Sequence, residues 1–389
     1  MTNPAFNCKI PQLTAKNIEG KTMTVPEEER RALVGLNMVD GVGSIKLNRL
    51  IDRFGSAAEA VKAGRNHLAD VDGIGDILAA KILTINSRVV DEEFKAVEKM
   101  NARIVTRHDE EYPKILKTIY DPPPVLYMAG LKFPQTGLNI GVVGSRSVSD
   151  YGASVVKKLS SEMGRCGCVI NVISGMARGI DSLAHIGAVK NGMYTAAVLG
   201  HGFGPIYPFE KYMIQRDILK NGTFLSEFPV NMIGLRQNFP RRNRVISGLS
   251  RGTIIVEAAA RSGALITADY ALEQGRDVFV VPGPITSEQS EGTNELIKNG
   301  AKPVTSFADV MYEYELQASY VFEIKEKKLP ELTKEEKVVY RVLSCEKKHI
   351  DNIAFESNID ITKTGILLTM MEMKGAVRQL SGKFFVRTL

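Results

Sequence analysis

The feature that most constrains this chain is the alternation of short apolar runs with helical segments from Leu138 to about Glu315. Candidate strands fall at Ile140 to Val143, Val169 to Ile173, Tyr194 to Leu199, Thr223 to Leu225, Thr253 to Val256 and Val278 to Val281. Short β-branched runs separated by helical patterns belong to strands covered on both faces, so the prediction is an α/β fold with a Rossmann-like, doubly wound, mostly parallel sheet. Right-handed crossovers then bring the C-terminal ends of the strands to one edge, where such sheets bind their ligands.

The motifs fall on that edge. After the first run comes Gly144-Ser145-Arg146, then a helix opening near Tyr151. A tight glycine turn before a helix start aims backbone N–H groups outward, which suits a phosphate, and Arg146 supplies a fixed positive charge. The second run leads into Ser174-Gly175-Met176-Ala177-Arg178-Gly179, and the third into Gly200-His201-Gly202-Phe203-Gly204 and Tyr207-Pro208-Phe209. One such loop is compatible with an ordinary turn. Several strand ends in line, two bearing arginine, describe a groove for many phosphates. The dinucleotide fingerprint G-x-G-x-x-G is missing after the first run and no acid is placed to hold a ribose, so no redox cofactor is expected.

A second concentration of charge is Arg236 to Gly252, which holds Arg236, Arg241, Arg242, Arg244 and Arg251 around Phe239 and contains no acid. Guanidinium groups fit phosphate bidentately and aromatic rings stack on unpaired bases, a composition suited to a single strand. The structural alternative is that some of these arginines pair with buried carboxylates such as Glu227 or Glu257.

Before the sheet, one phrase occurs twice: Val39-Asp40-Gly41-Val42-Gly43 and Val71-Asp72-Gly73-Ile74-Gly75, each between apolar helical segments. This resembles a tandem helix-hairpin-helix module, whose glycine turns admit a nucleic-acid phosphate. Gly41, Gly43, Ser44 and Lys46 of the first hairpin are candidate backbone contacts, while Asp76 disfavours the second. Both turns are equally consistent with tight helix packing. The expected domains are an N-terminal extension over residues 1–26, the helical module over 27–110, a proline-rich connector over 111–137, the Rossmann-like unit over 138–315, a linker over 316–331 and a winged-helix-like unit over 332–389. Gly20-Lys21-Thr22 does not close a Walker loop, because position 15 is Ala and no apolar strand precedes it.

Composition adds bounds. A chain of 389 residues with 44% apolar content and net charge +6 can bury a large core and permits a polyanionic partner. No apolar run reaches the ~20 residues of a membrane span, so a cytoplasmic location without membrane contact is expected. Four scattered cysteines read as reduced, and no metal site is expected.

The series GSRSVSDYG, SGMARGIDSLAH, LGHGFGPIYP, LSEFP, NFPRRNRVISGLS, EAAARSGALITADYALEQGR and VFVVPG, in that order across Gly144 to Gly283, resembles the DNA-processing protein A family, also called DprA or Smf. The resemblance implies a non-enzymatic Rossmann-like protein that binds single-stranded DNA as a homodimer. It further implies that such a protein loads the RecA recombinase onto strands otherwise covered by single-strand-binding protein, during natural transformation. Carried onto this sequence, it implies phosphate contacts at Gly144, Ser145, Arg146, Ser174, Gly175, Arg178 and Gly179 and at Arg241, Arg242, Asn243 and Arg244. Many members have a basic residue directly after the Tyr-Pro. This chain has Phe209 there, suited to base stacking like Phe239, with Lys211 two positions on.

From Leu332 onward, apolar periodicity at Val338, Val339, Val342 and Leu343, helices near Ile353 and over Thr362 to Lys374, and a hairpin over Val377 to Val386 resemble a winged helix. Its third helix is apolar, with Lys363 and Lys374 as its cations, which favours protein contact or core packing over DNA reading. His185 follows Asp181 by one turn, yet no nucleophile or metal cluster accompanies them, so a structural histidine is expected. The competing function is a nucleotide-ribosyl hydrolase acting on nucleoside monophosphates. The loop Val281 to Thr286 lacks the paired glycines and glutamate that such enzymes place there.

Overall fold

The computed structural model describes residues 26–204, 212–314, 332–344, 347–380 and 382–387. The expected extension over 1–26 (save Pro26), the expected linker over 316–331, and both Phe209 and Lys211 lie outside them. The chain opens with helices α1 (Glu27–Met38), α2 (Ser44–Phe54), α3 (Ala57–Lys62), α4 (Arg65–Ala69), α5 (Asp76–Leu83) and α6 (Ser87–Lys99). Local chemistry sets their ends. Three glutamates occupy the first turn of α1, Gly55 closes α2 in the left-handed region at φ 83°, and Ser56 caps α3 by accepting the Glu59 N–H. Leu33, Leu36, Leu47, Leu50, Leu68, Ile74 and Ile82 form their common core.

Strands β1 (Ala102–Thr106) and β2 (Val125–Gly130) lead into the alternating region: β3 (Leu138–Val143), α7 (Asp150–Arg165), β4 (Ile170–Ser174), α8 (Ile180–Lys190), β5 (Tyr194–Leu199), α9 (Tyr212–Asn221) and β6 (Gly222–Ser226). Then follow α10 (Asn238–Leu249), β7 (Gly252–Ile255), α11 (Gly263–Glu273), β8 (Asp277–Val280), α12 (Glu291–Lys298), β9 (Lys302–Pro303) and α13 (Phe307–Glu313). Nine strands form one sheet in the order β1-β2-β6-β5-β4-β3-β7-β8-β9. Pairing is parallel from β6 to β9 and antiparallel where β2 joins β1 and β6. The chain runs outward from β3 to β6 and returns at β7 to the other side of β3. The strand order therefore reverses between β3 and β7.

The sheet begins earlier than the sequence suggests. The stretch read as a proline-rich connector carries β2, an internal strand, and β1 is the edge strand of the same sheet. Proline removes a ladder donor only at its own position, and the hexapeptide Val125–Gly130 between Pro124 and Pro134 contains none. Period-two alternation within the parallel strands feeds two helix layers. Ile140, Val142, Val172, Ile254 and Phe279 meet Val156, Leu159, Met163 and Ala184 of α7 and α8. Val143, Ile173, Val198, Ile255 and Val280 meet Val245, Ile246, Leu249, Ala268 and Ala271 of α10 and α11.

The C-terminal part has its own core. Helices α14 (Lys334–Val342), α15 (Ile350–Ser357) and α16 (Ile361–Met373) pack with strands β10 (Lys348–His349), β11 (Val377–Leu380) and β12 (Phe384–Arg387), in the sheet order β10-β12-β11. Leu367, Leu368 and Met371 face that core, while Ile366, Met370 and Met373 are exposed. Both cations at the ends of α16 are paired: Lys363 reaches Glu335 at 2.6 Å and Lys374 reaches Glu336 at 2.7 Å. The Glu336 side chain is 1% exposed. Burial raises its pKa, but the Lys374 ammonium and the Thr333 N–H outweigh that and hold it below the usual carboxylate range. A depressed carboxylate stabilises the fold above its unfolded pKa and loses that contribution as pH falls through the folded value. Lys374→Met should therefore speed amide exchange in α14 and α16 at pH 7 and make no difference once Glu336 is protonated, well below pH 4; hydrogen exchange at the two pH values tests this.

Candidate nucleic-acid interface

The loops after β3 and β4 pack against each other. A Cβ on Gly144 would lie 2.7 Å from the Ile180 side chain and 3.0 Å from the Glu257 carbonyl oxygen, so the chain turns there only as glycine. Gly179 sits at φ 78°, where a side chain would also collide with the Ser145 carbonyl, and the Ile180 N–H donates to that carbonyl at 3.1 Å. Ser145 is buried, whereas Arg146 and Arg178 are exposed. Ser174 is not on the surface: its hydroxyl donates to the Val142 carbonyl at 2.6 Å and ties β4 to β3.

The first turn of α10 completes the edge. Phe239 is half-buried and lies across Gly200, where a Cβ would come 2.8 Å from its ring. The Arg146 guanidinium stands 5.5 Å from the centre of that ring and Arg242 stands 6.0 Å from it. The loops after β3 and β5 thus meet Arg242 of α10 at one aromatic side chain.

Arg242, expected as a phosphate ligand, is 4% exposed and donates instead to the carbonyls of Gly175 and Val198, at the ends of β4 and β5. Burial pushes its pKa down to about 10, with Asp181 opposing and Arg146 adding to the shift, so it stays charged at neutral pH. It contributes field to the edge from below. Asn243 is turned inward as well, donating to the Gly263 carbonyl at 3.1 Å at the start of α11.

Arg244 departs further from expectation. It is 4% exposed, pairs with the Glu227 carboxylate and with Asp121 Oδ2 at 3.1 Å, and donates to the Asp121 carbonyl at 2.7 Å and to Ser44 Oγ at 3.2 Å. Burial raises the Asp121 pKa and Arg244 works against that rise. Ser44, a candidate DNA contact of the first hairpin, is therefore a buried docking residue. Gly43 lies beside the Arg241 guanidinium, 3.0 Å from where its Cβ would be, and Lys46 donates to the Gly41 carbonyl at 3.0 Å. The first hairpin turn is occupied by α10. Arg241 itself is exposed and stands 5.6 Å over the Phe228 ring.

The helix start near Tyr151 is also filled. Glu257, 2% exposed, accepts the Ser149 N–H at 3.1 Å and the Ser149 hydroxyl, which in turn caps the Gly152 N–H at 3.0 Å. A side chain on Gly152 would overlap the Glu257 carboxylate. An internal carboxyl group thus takes the α7 N-terminus, and the exposed charged residues of this stretch are Arg146 and Asp150. One contact had no sequence signal: Ser145 Oγ lies 2.7 Å from Gln289 Oε1, across a separation of 144 residues. His185 is fully buried against Thr195 Oγ1 at 2.7 Å. Asp181 accepts the Ala177 N–H at 3.2 Å. Among the described residues no three metal-ligating side chains gather and no helix is long and apolar enough to cross a membrane.

A doubly wound sheet with basic glycine loops along its strand ends, preceded by paired helical hairpins and followed by a winged helix, defines a class of Rossmann-like proteins with an open, cationic edge. The profile described as DNA recombination-mediator protein A matches residues 103–315, and that described as DprA winged helix domain matches residues 323–383. The chain belongs to the DNA-processing protein A (DprA/Smf) family. It is 37% identical over 275 residues to Protein Smf of Synechocystis, covering 69% of each chain. It is 38% identical over 254 residues to DNA processing protein DprA of Streptococcus pneumoniae, covering 64% of this chain and 86% of the relative. The X-ray structure of the S. pneumoniae protein superposes with a TM-score of 0.64 at 33% identity, covering 73% of this chain and 97% of the other.

The two neighbouring arginines of α10 should separate experimentally. Arg244→Met strands the buried Glu227 carboxylate and the partly buried Asp121 and should cost about 3–5 kcal/mol. Arg241→Ala, at an exposed site with one cation–π contact, should cost no more than about 1 kcal/mol. Urea unfolding midpoints of the two variants decide the point.

Proposed function

We propose that this chain binds single-stranded DNA along the C-terminal edge of its sheet, with Arg146, Arg178 and Arg241 contacting phosphates and Phe239 stacking on a base. The observation that carries the reading is the Arg146 guanidinium poised over a half-exposed Phe239 ring. A cation and an aromatic face side by side match the alternation of phosphate and unpaired base in a single strand. Gly144, Ser145, Gly175, Gly179 and Asn243 shape the groove from behind, and Phe209 and Lys211 belong to the same reading.

The protein acts, in this proposal, as a cytoplasmic homodimer without catalytic activity. It protects incoming strands and loads RecA onto DNA covered by single-strand-binding protein during transformation. Support comes from the names of its relatives, DNA processing protein and recombination mediator. RecA filament growth on strands coated with single-strand-binding protein, with and without this chain, tests that step. The hydrolase alternative would need an acid free to act at this edge, and the buried Glu257 is engaged in capping α7. Release of free base from a nucleoside monophosphate would favour that alternative.

Labelled single- and double-stranded oligonucleotides titrated at two salt concentrations test the binding itself. Arg146→Ala should weaken single-strand affinity without sequence dependence and reduce the logarithmic salt slope by roughly 0.7, the loss of one phosphate contact on a single strand. Unchanged affinity and slope in a folded variant would remove the groove assignment.

A further inference from the structure

We infer that Gln289 is a positioning residue for Arg146: it holds the Ser145-Arg146-Ser147 turn at the angle that presents the guanidinium to the strand. The inference rests on the single-strand reading of the edge.

Gln289 arrives from the loop after β8, on the far side of β7 from the turn it touches. Its backbone is fixed there, because its carbonyl accepts the Ala258 N–H at 2.8 Å, and the Ala258 carbonyl accepts the Gly292 N–H at 2.8 Å. From that base the side chain reaches back to Ser145 Oγ at 2.7 Å. The same hydroxyl accepts the Ser147 N–H at 3.1 Å and lies 2.9 Å from the Ser147 carbonyl. Either orientation of the Gln289 amide bonds to a hydroxyl, since one can donate or accept.

Arg146 is thereby framed on both sides. Ser145 is tied to Ile180 through its carbonyl and to Gln289 through its hydroxyl, and Ser147 is tied to Ser145. Behind the turn, Gly179 approaches the carbonyls of Ser145 and Arg146 so closely that any side chain would collide. Within this frame, Gln289 Oε1 is the side-chain contact of Ser145 that crosses from β3 to the β7–β8 side of the point where the strand order reverses. Without it the hydroxyl keeps only its local partners in residue 147, and the turn can swing with the arginine on it. Gln289 carries no charge, so its loss alters geometry without subtracting a cation from the edge.

Single-strand titrations at two salt concentrations, run on the full chain as mutant cycles, test this. Gln289→Met should weaken binding about three- to tenfold, as expected for one lost hydrogen bond, and leave the salt slope unchanged. It should add no further weakening to Arg146→Ala, and it should add fully to Arg178→Ala. Additivity with Arg146→Ala, or wild-type affinity in Gln289→Met while Arg146→Ala binds weakly, overturns the inference. An Arg146→Ala protein that binds like wild type overturns the edge reading itself, and this inference with it. Should Gln289→Met not fold, Ser145→Ala removes the other half of the contact, leaves the Gln289 backbone anchored to Ala258, and must show the same non-additivity.

Discussion

The exposed edge depends on a guanidinium that is not exposed. Arg242 sits on α10, the helix that carries the chain from β6 back across the sheet to β7. A buried guanidinium needs acceptors for its donors, and it finds them in the carbonyls of Gly175 and Val198 at the ends of β4 and β5. Gly175 makes this possible, since a Cβ there would lie 2.7 Å from Arg242 Cζ. Once Arg242 is seated, the first turn of α10 is fixed against the edge. Phe239 then falls across Gly200 and beneath Arg146.

Much of this was legible in the sequence. Each strand expected from Ile140 onward is present within one or two residues, because an apolar run between turn signals has one comfortable place in such a sheet. β2 was hidden by the prolines around it, although none lies inside it. The arginine cluster could be recognised but not divided. Arg241, Arg242 and Arg244 are alike as letters, and helical geometry turns the first to solvent, the second beneath the loops and the third toward Glu227 and Asp121. A partner such as Asp121 comes from a segment more than a hundred residues away, and local pattern carries no trace of it.

Glycine spacing illustrates the same ambiguity. A glycine at a helix start is required when a ligand approaches the backbone, and equally when another part of the protein does. At Gly152 the approaching group is Glu257, and at Gly43 it is Arg241. The sequence motif reports that something comes close, and only the tertiary structure says what.

The distribution of charge then separates the strand-end edge from the rest of the molecule. In the paired hairpins, Arg49 meets Asp72 at 2.8 Å, Lys81 meets Asp40 at 3.3 Å and Arg65 meets Asp76 at 3.4 Å. On α16, Lys363 and Lys374 meet Glu335 and Glu336. The exposed pairs of the hairpins add little stability, unlike Lys374 with the buried Glu336, yet every pair cancels a cation as seen from a distance. Arg146, Arg178 and Arg241 are exposed near a buried Arg242 that stays charged. These hairpin and α16 cations are thus paired with carboxylates, while the strand ends gather three exposed arginines. A mononucleotide would use one of these loops, whereas arginines spread over the ends of β3 and β4 and the start of α10 fit a ligand whose charges repeat along its length.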